Sequence, residues 1–177
     1  MPDTQSKLLI IDDQPDSVAL LLSYLGDRDL DIRVALDGAD GLAKAALDRP
    51  DLILLDVTMP GMDGFAVCEQ LKSAPATASI PVLFLTASTA IEDKLRGFAL
   101  GGADYITKPF SEEEVIARVF VHLNTRLRFE RLEALAASQA LESISDLTGR
   151  DDQLFSRVVA ILQKRLAQPP TLSDLTQ

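Results

Sequence analysis

Five short apolar runs, separated by stretches of helical periodicity, limit this chain's fold more than any other feature. The runs are KLLII (7–11), IRVA (32–35), LILL (52–55), IPVLFL (80–85) and ADYI (103–106). Between them stand SVALLLSYL (17–25), GLAKAAL (41–47), FAVCEQL (65–71) and EDKLRGFAL (92–100), with apolar residues on one helical face. Strands alternating with helices predict a parallel sheet with helices on both faces. The first, third and fourth runs are almost continuously apolar, the pattern of strands buried on both sides. Five strands and five helices complete one domain by about residue 120.

In an open parallel sheet, ligands bind where loops leave the carboxyl ends of the strands. Asp12 and Asp13 follow the first run, Asp56 closes the third, Thr86 ends the fourth with Ala87 and Ser88 beyond it, and Lys108 and Pro109 follow the fifth. Three carboxylates, a hydroxyl and an ammonium thus share one rim. Carboxylates this close raise one another's pKa unless a cation intervenes. Lys108 is the single cation of the set, so a hard divalent ion such as Mg²⁺ is the natural further partner, leaving coordination positions for phosphate oxygens. Metal, ammonium and hydroxyl around a carboxylate nucleophile suit phosphoryl transfer by positioning and charge neutralisation. Taken singly, each aspartate could equally be a turn former, and Asp13 or Asp16 could cap the helix that begins near Pro15.

IIDDQPD (10–16), LILLDVTMPGMDGF (52–65), PVLFLTA (81–87) and GADYITKPF (102–110) resemble the receiver domain of two-component response regulators, over about residues 7–124. The resemblance implies a flavodoxin-like, doubly wound sheet of five parallel strands in the order 2-1-3-4-5. It implies that Asp56 accepts a phosphoryl group from a phosphohistidine on a sensor histidine kinase or phosphotransfer protein. Asp13, Asp56 and the Thr58 carbonyl would ligate Mg²⁺, with Asp12 acting through water. Thr86, Ala87 and Lys108 would contact the phosphoryl group, the Lys108–Pro109 bond would be cis, and Thr86 and Tyr105 would form the switch. From the residues alone, Tyr105 could equally be a core or interface aromatic. Thr58 and Ser88 occupy the positions that tune dephosphorylation in the family, and neither is an acid or amide suited to orienting water.

Other motifs add little chemistry. PGMDG (60–64) reads as a turn, and Gly101-Gly102 as a helix stop. Neither GxGxxG nor GxxxxGK[ST] occurs, so nucleotide binding is unsupported. A haloacid-dehalogenase-like phosphatase would also use a strand-end Asp, a Thr and a Lys around Mg²⁺. It needs an acid two residues after the nucleophile, where this chain has Thr58, and its acidic pair comes last rather than first. A third class, an interaction module with a silent site, is disfavoured by the complete residue set.

Beyond the fifth run, Ser111 to Thr148 contains neither Gly nor Pro, and Ser111 with Glu112, Glu113 and Glu114 is a strong helix start. Gly149 is the expected stop, giving a helix of roughly 55 Å. A 4-3 seam through Ile116, Phe120, Leu123, Leu127, Glu130, Ala134, Ala137, Leu141 and Ile144 favours a dimeric coiled coil. A competing stripe through Leu132 and Leu135 leaves a broken helical hairpin as the alternative. His122 on this helix reads as a packed or exposed structural residue rather than a relay histidine. LFSRVVAILQKRL (154–166) and PPTLSDL (169–175) resemble the start of an AraC-type helix-turn-helix domain, the other reading being a small helical appendage. The expected organisation is therefore a receiver (1–124), a coiled-coil linker helix (125–149) and a helical appendage (150–177), the last open to reading as the cut-off start of an output domain.

Charge divides the chain at the same place. Residues 1–124 carry ten basic and twenty acidic side chains and residues 125–177 carry seven of each, so the whole net charge of −10 belongs to the first part. That argues against nucleic-acid binding by the chain as it stands, and DNA contact is expected only through a missing output domain. One cysteine, Cys68, and one histidine, His122, exclude an internal disulfide and make a transition-metal centre improbable. Asp3, Asp12 and Asp13 interrupt any signal-like start, and no uninterrupted apolar run reaches the ~18 residues of a membrane span. A cytoplasmic protein, without membrane contact and homodimeric through its C-terminal helix, is the expectation.

Overall fold

The computed structural model describes residues 5–88, 90–147, 159–161 and 163, and the chain divides into two units, Met1–Asn124 and Thr125–Gln177. In the first unit, strands β1 (Ser6–Ile11), β2 (Leu30–Ala35), β3 (Leu52–Asp56), β4 (Val82–Thr86) and β5 (Asp104–Thr107) alternate with helices α1 (Pro15–Leu25), α2 (Gly38–Asp48), α3 (Gly64–Ser73) and α4 (Ile91–Ala99). Helix α5 follows, Glu112–Leu147. The sheet is wholly parallel, in the order β2-β1-β3-β4-β5. That is the doubly wound order implied by the resemblance to receiver domains.

Each strand's apolar density follows from its place. β3 and β4 are buried at every residue, while β2, on an edge, buries only Ala35 fully. Two apolar layers enclose the sheet. One joins Leu9, Ile11, Ile53, Leu55, Phe84 and Tyr105 to Val67, Cys68 and Leu71 of α3. The other joins Leu8, Ile10, Leu54, Leu83 and Ile106 to Leu21 and Leu25 of α1 and to Val115, Val119 and Leu123 of α5. Truncating a buried leucine such as Leu54 to Ala would cost about 2–5 kcal/mol. The fourth strand begins at Val82, later than the apolar run suggests, because Pro81 has no N–H for the ladder, although its carbonyl still accepts from Ile53 N at 3.0 Å.

Helix ends follow local chemistry. Pro15 opens α1, and the cap position is Gln14, without a side-chain cap. Neither Asp13 nor Asp16 caps that helix: Gln14 holds the cap position and Asp16 lies inside the first turn, while Asp12 accepts from Gln14 N at 2.8 Å. Gly101 ends α4 at φ 90, with Gly101 N bonding Phe98 O and Gly102 N bonding Gly97 O, a Schellman pair. Ser111 caps α5, its hydroxyl accepting from Glu114 N at 3.2 Å.

α5 divides its apolar residues between two duties. Leu123 is 2% exposed in the second core layer, and Ile116 and Phe120 pack against that layer. These three positions of the 4-3 seam are used inside the first unit, so the free part of the seam begins at Leu127, 49% exposed. In the second unit Leu132 and Leu135, on the competing stripe, are also exposed. Gly149, the side chain of Ile144 and nearly all of the segment likened to a helix-turn-helix domain lie outside the described residues. Among the described residues no helix is long and apolar enough to cross a membrane.

Candidate functional site

The parallel sheet sets β1 beside β3, β3 beside β4 and β4 beside β5, and backbone bonds at the carboxyl ends fix β1 to β2, β3 to β4 and β4 to β5, which brings the site residues to one place. Asp12 N donates to Ala35 O (3.1 Å), Val57 N to Leu85 O (3.0 Å) and Lys108 N to Thr86 O (2.7 Å). Asp12 and Asp56 are almost wholly buried, Asp13 is half-buried, and one carboxylate oxygen from each lies within 4.8 Å of the others. Lys108 Nζ sits between two of them, 3.0 Å from Asp12 Oδ2 and 3.0 Å from Asp56 Oδ1. The Lys108–Pro109 peptide is cis.

The three carboxylates are not equivalent. Both oxygens of Asp12 have partners: Oδ1 accepts from Gln14 N, and Oδ2 accepts from Ser17 Oγ at 2.6 Å and from Lys108. Asp13 Oδ1 and Asp56 Oδ2 are buried without a hydrogen-bond partner among the described residues. Two orphaned carboxylate oxygens in one acidic pocket cost free energy unless a cation meets them. That donor set, all hard oxygen, fits Mg²⁺. Burial pushes the Asp56 carboxyl above its ordinary value of 3.8; Lys108 opposes this by hydrogen bond and charge without cancelling it, and Asp12 and Asp13 add to the rise. For Lys108 burial works downward, but its bonds to Asp56 and Asp12 outweigh that and hold the ammonium above its ordinary 10.5.

Around this group, Thr86 is 3% exposed and its Oγ1 accepts from Ser88 N at 3.0 Å, which leaves the hydroxyl hydrogen to donate elsewhere. Ala87 and Thr58 are exposed at the rim. Tyr105 is buried, one strand away from Thr86. Pro109 is exposed beside Lys108. In the 60–64 turn the glycines have different tasks: Gly61 takes φ 78, while a Cβ on Gly64 would overlap the Asp56 carbonyl and stand 2.8 Å from Val57 Cα. Gly64 thus lets α3 start against the strand that carries Asp56. Sequence reasoning does not single out Ser17; its signal is its place in the first turn of α1, five residues after Asp12.

The family model described as response regulator receiver domain matches residues 8–120. The chain belongs to the response regulator receiver family. Over 157 residues it is 38% identical to the response regulator PleD of Caulobacter vibrioides, covering 88% of this chain and 35% of that protein. Over 116 residues it is 48% identical to the DNA-binding dual master transcriptional regulator RpaA of Synechocystis, covering 64% of this chain and 47% of RpaA. Among solved structures, the chemotaxis protein CheY4 of Vibrio cholerae superposes with a TM-score of 0.63 at 31% identity, covering 68% of this chain and 99% of CheY4. The chain therefore spans less than half the length of these two curated relatives.

Receiver domains are signalling phosphoacceptors that take phosphate from histidine kinases and bind Mg²⁺ at an acidic aspartate cluster, and this receiver has such a cluster. The dehalogenase-type phosphatase reading finds no support: its acid/base position is held by the exposed Thr58, and the relatives are response regulators. His122, half-buried on α5, has its Nε2 3.2 Å from Asp104 Oδ2.

Proposed function

We propose that Asp56 is the phosphoacceptor of this receiver. The orphaned Asp56 Oδ2, buried beside a lysine and a second orphaned carboxylate, carries the reading. An Asp56 carboxylate oxygen attacks phosphorus, the P–N bond of the kinase phosphohistidine breaks, and the histidine leaves with that electron pair. Asp13, Asp56 and the Thr58 carbonyl would hold Mg²⁺, with Asp12 at one remove, its oxygens already engaged by Gln14, Ser17 and Lys108. When bound, the ion supplies positive charge against the phosphoryl oxygens. Lys108 offers its ammonium and Thr86 its hydroxyl to those oxygens, with the Ala87 backbone beside them.

Thr86 and Tyr105 relay occupancy of the site, shifting the population between two states of the α4–β5–α5 face. Output passes through α5 beyond Leu123 to a dimer partner and to a further, transcriptional domain. Light scattering with and without beryllofluoride plus Mg²⁺ tests the relay. A mass change in the native chain that is absent in Asp56→Asn is expected. Unchanged mass in both states and both proteins would sink phosphorylation-linked assembly.

A further inference from the structure

α4 is held to the sheet by a side chain that is not its own. Ile91, Leu95 and Phe98 are exposed, and Gly97 is the helix's one buried residue. The room over Gly97 is filled from β5. The Tyr105 ring is 5% exposed, stacks on Phe84 with centroids 5.2 Å apart, and meets Phe98 edge-on at 5.1 Å. Its hydroxyl lies 3.1 Å from the Asp93 carbonyl and 3.0 Å from that of Lys94, and donates to this pair in the first turn of α4.

A Cβ on Gly97 would overlap the Tyr105 hydroxyl, and would stand 2.8 Å from Tyr105 Cζ and 2.9 Å from Phe84 Cε2. Glycine inside a helix is ordinarily destabilising relative to alanine. Gly97 is not among the glycines at positive φ, so what its position requires is space. A methyl group and the inward phenol cannot share it.

We propose that Gly97 is a positioning residue of the switch: its missing side chain is the seat that admits Tyr105 beneath α4, and the seated phenol is what ties α4 to the sheet. With Tyr105 turned outward, α4 keeps neither the ring that packs under it nor the hydroxyl that bonds its first turn. Gly97 therefore sets which Tyr105 rotamers are open, and through them how firmly α4 is docked. The inference rests on the reading of Tyr105 as the switch residue, and deepens it by naming its counterpart on the helix.

The chain has two tyrosines, Tyr24 and Tyr105, and no tryptophan, so Tyr24→Phe leaves Tyr105 as the sole emitting phenol in the full chain. In that background Gly97→Ala should raise acrylamide quenching of the emission to that of an exposed tyrosine, and should bring the phenol titration, held above its ordinary 10.0 chiefly by burial, back down, with the far-UV circular dichroism unchanged. A phenol as shielded as in the Gly97 parent would overturn the proposal. If Gly97→Ala does not fold, the double variant Gly97→Ala/Tyr105→Ala should, because the ring's volume is then vacated for the methyl group; a double variant that fails equally would also overturn it. Beryllofluoride with Mg²⁺ is measured on the same parent, where absent binding counts against Asp56 as phosphoacceptor and leaves the quenching result standing.

Discussion

Lys108 Nζ lies 3.0 Å from Asp56 Oδ1, a contact between the ends of β5 and β3 in which the lysine is 19% and the aspartate 3% exposed. Removing the ammonium would leave Asp12, Asp13 and Asp56 facing one another without their lysine. Lys108→Gln is expected to destabilise the chain by about 3 kcal/mol, the low end for breaking a buried pair, as read by urea unfolding without Mg²⁺. Because the folded lysine titrates above 10.5, its contribution is fully present below that value and is lost as pH rises through the folded pKa. The gap between the native chain and Lys108→Gln should hold from neutrality upward and close only in that alkaline range.

Asp56 works in the opposite sense. A carboxyl whose folded pKa lies above 3.8 costs stability once pH exceeds that value, and the cost is complete above the folded pKa. Asp56→Asn should therefore be more stable than the native chain at pH 7–8 without Mg²⁺, because the neutral amide carries no charge to desolvate beside Asp12 and Asp13. The difference should shrink as pH falls toward 3.8. Thermal unfolding across pH measures it, and an unchanging difference would refute the sign.

Mg²⁺ should stabilise the native chain by mass action, about 2.7 kcal/mol at a hundredfold excess over its dissociation constant, and do little for Asp56→Asn. Ser17 enters here through Asp12, to which its hydroxyl donates at 2.6 Å. Ser17→Ala leaves Asp13 and Asp56, the proposed metal ligands, in place but loosens Asp12 beside them, and such outer partners are worth roughly tenfold or more in metal affinity. Isothermal titration with Mg²⁺ should show that loss, with Ser17→Thr recovering most of it.

The long helix offers two apolar stripes, and charge substitutions distinguish them. Leu127→Glu with Ala134→Glu places two carboxylates on the seam and should weaken a dimer by about 2–3 kcal/mol, roughly a hundredfold in Kd. Leu132→Glu with Leu135→Glu should leave the mass by light scattering unchanged. The reverse pattern would assign the contact to the second stripe.

Legibility from sequence was high where one residue type serves one place. The apolar runs at 52–55 and 80–85 fit strands covered on both faces, and Asp56 and Thr86, which follow them, had to stand at one rim once the sheet was parallel. It was lower on α5, where one 3.6-residue period serves both a domain's core and a partner helix: Ile116, Phe120 and Leu123 look no different in sequence from Leu127 and Ala134. Capping was likewise open, since Asp13 and Asp16 both lie within reach of the helix start at Pro15.

The succession of strands and helices, the five side chains at the strand ends and the start of α5 at Ser111 are written in the chain itself, because these follow from local periodicity, strand polarity and capping. Which carboxylate oxygens find partners is settled by the folded arrangement. Asp12 is satisfied by Gln14, Ser17 and Lys108, while Asp13 and Asp56 each keep an oxygen without a partner among the described residues. The same holds for Tyr105, whose seat on Gly97 depends on how closely α4 approaches β5. Hydrogen bonds and clearances of this kind are set by distances between elements far apart in the chain, which no local pattern encodes.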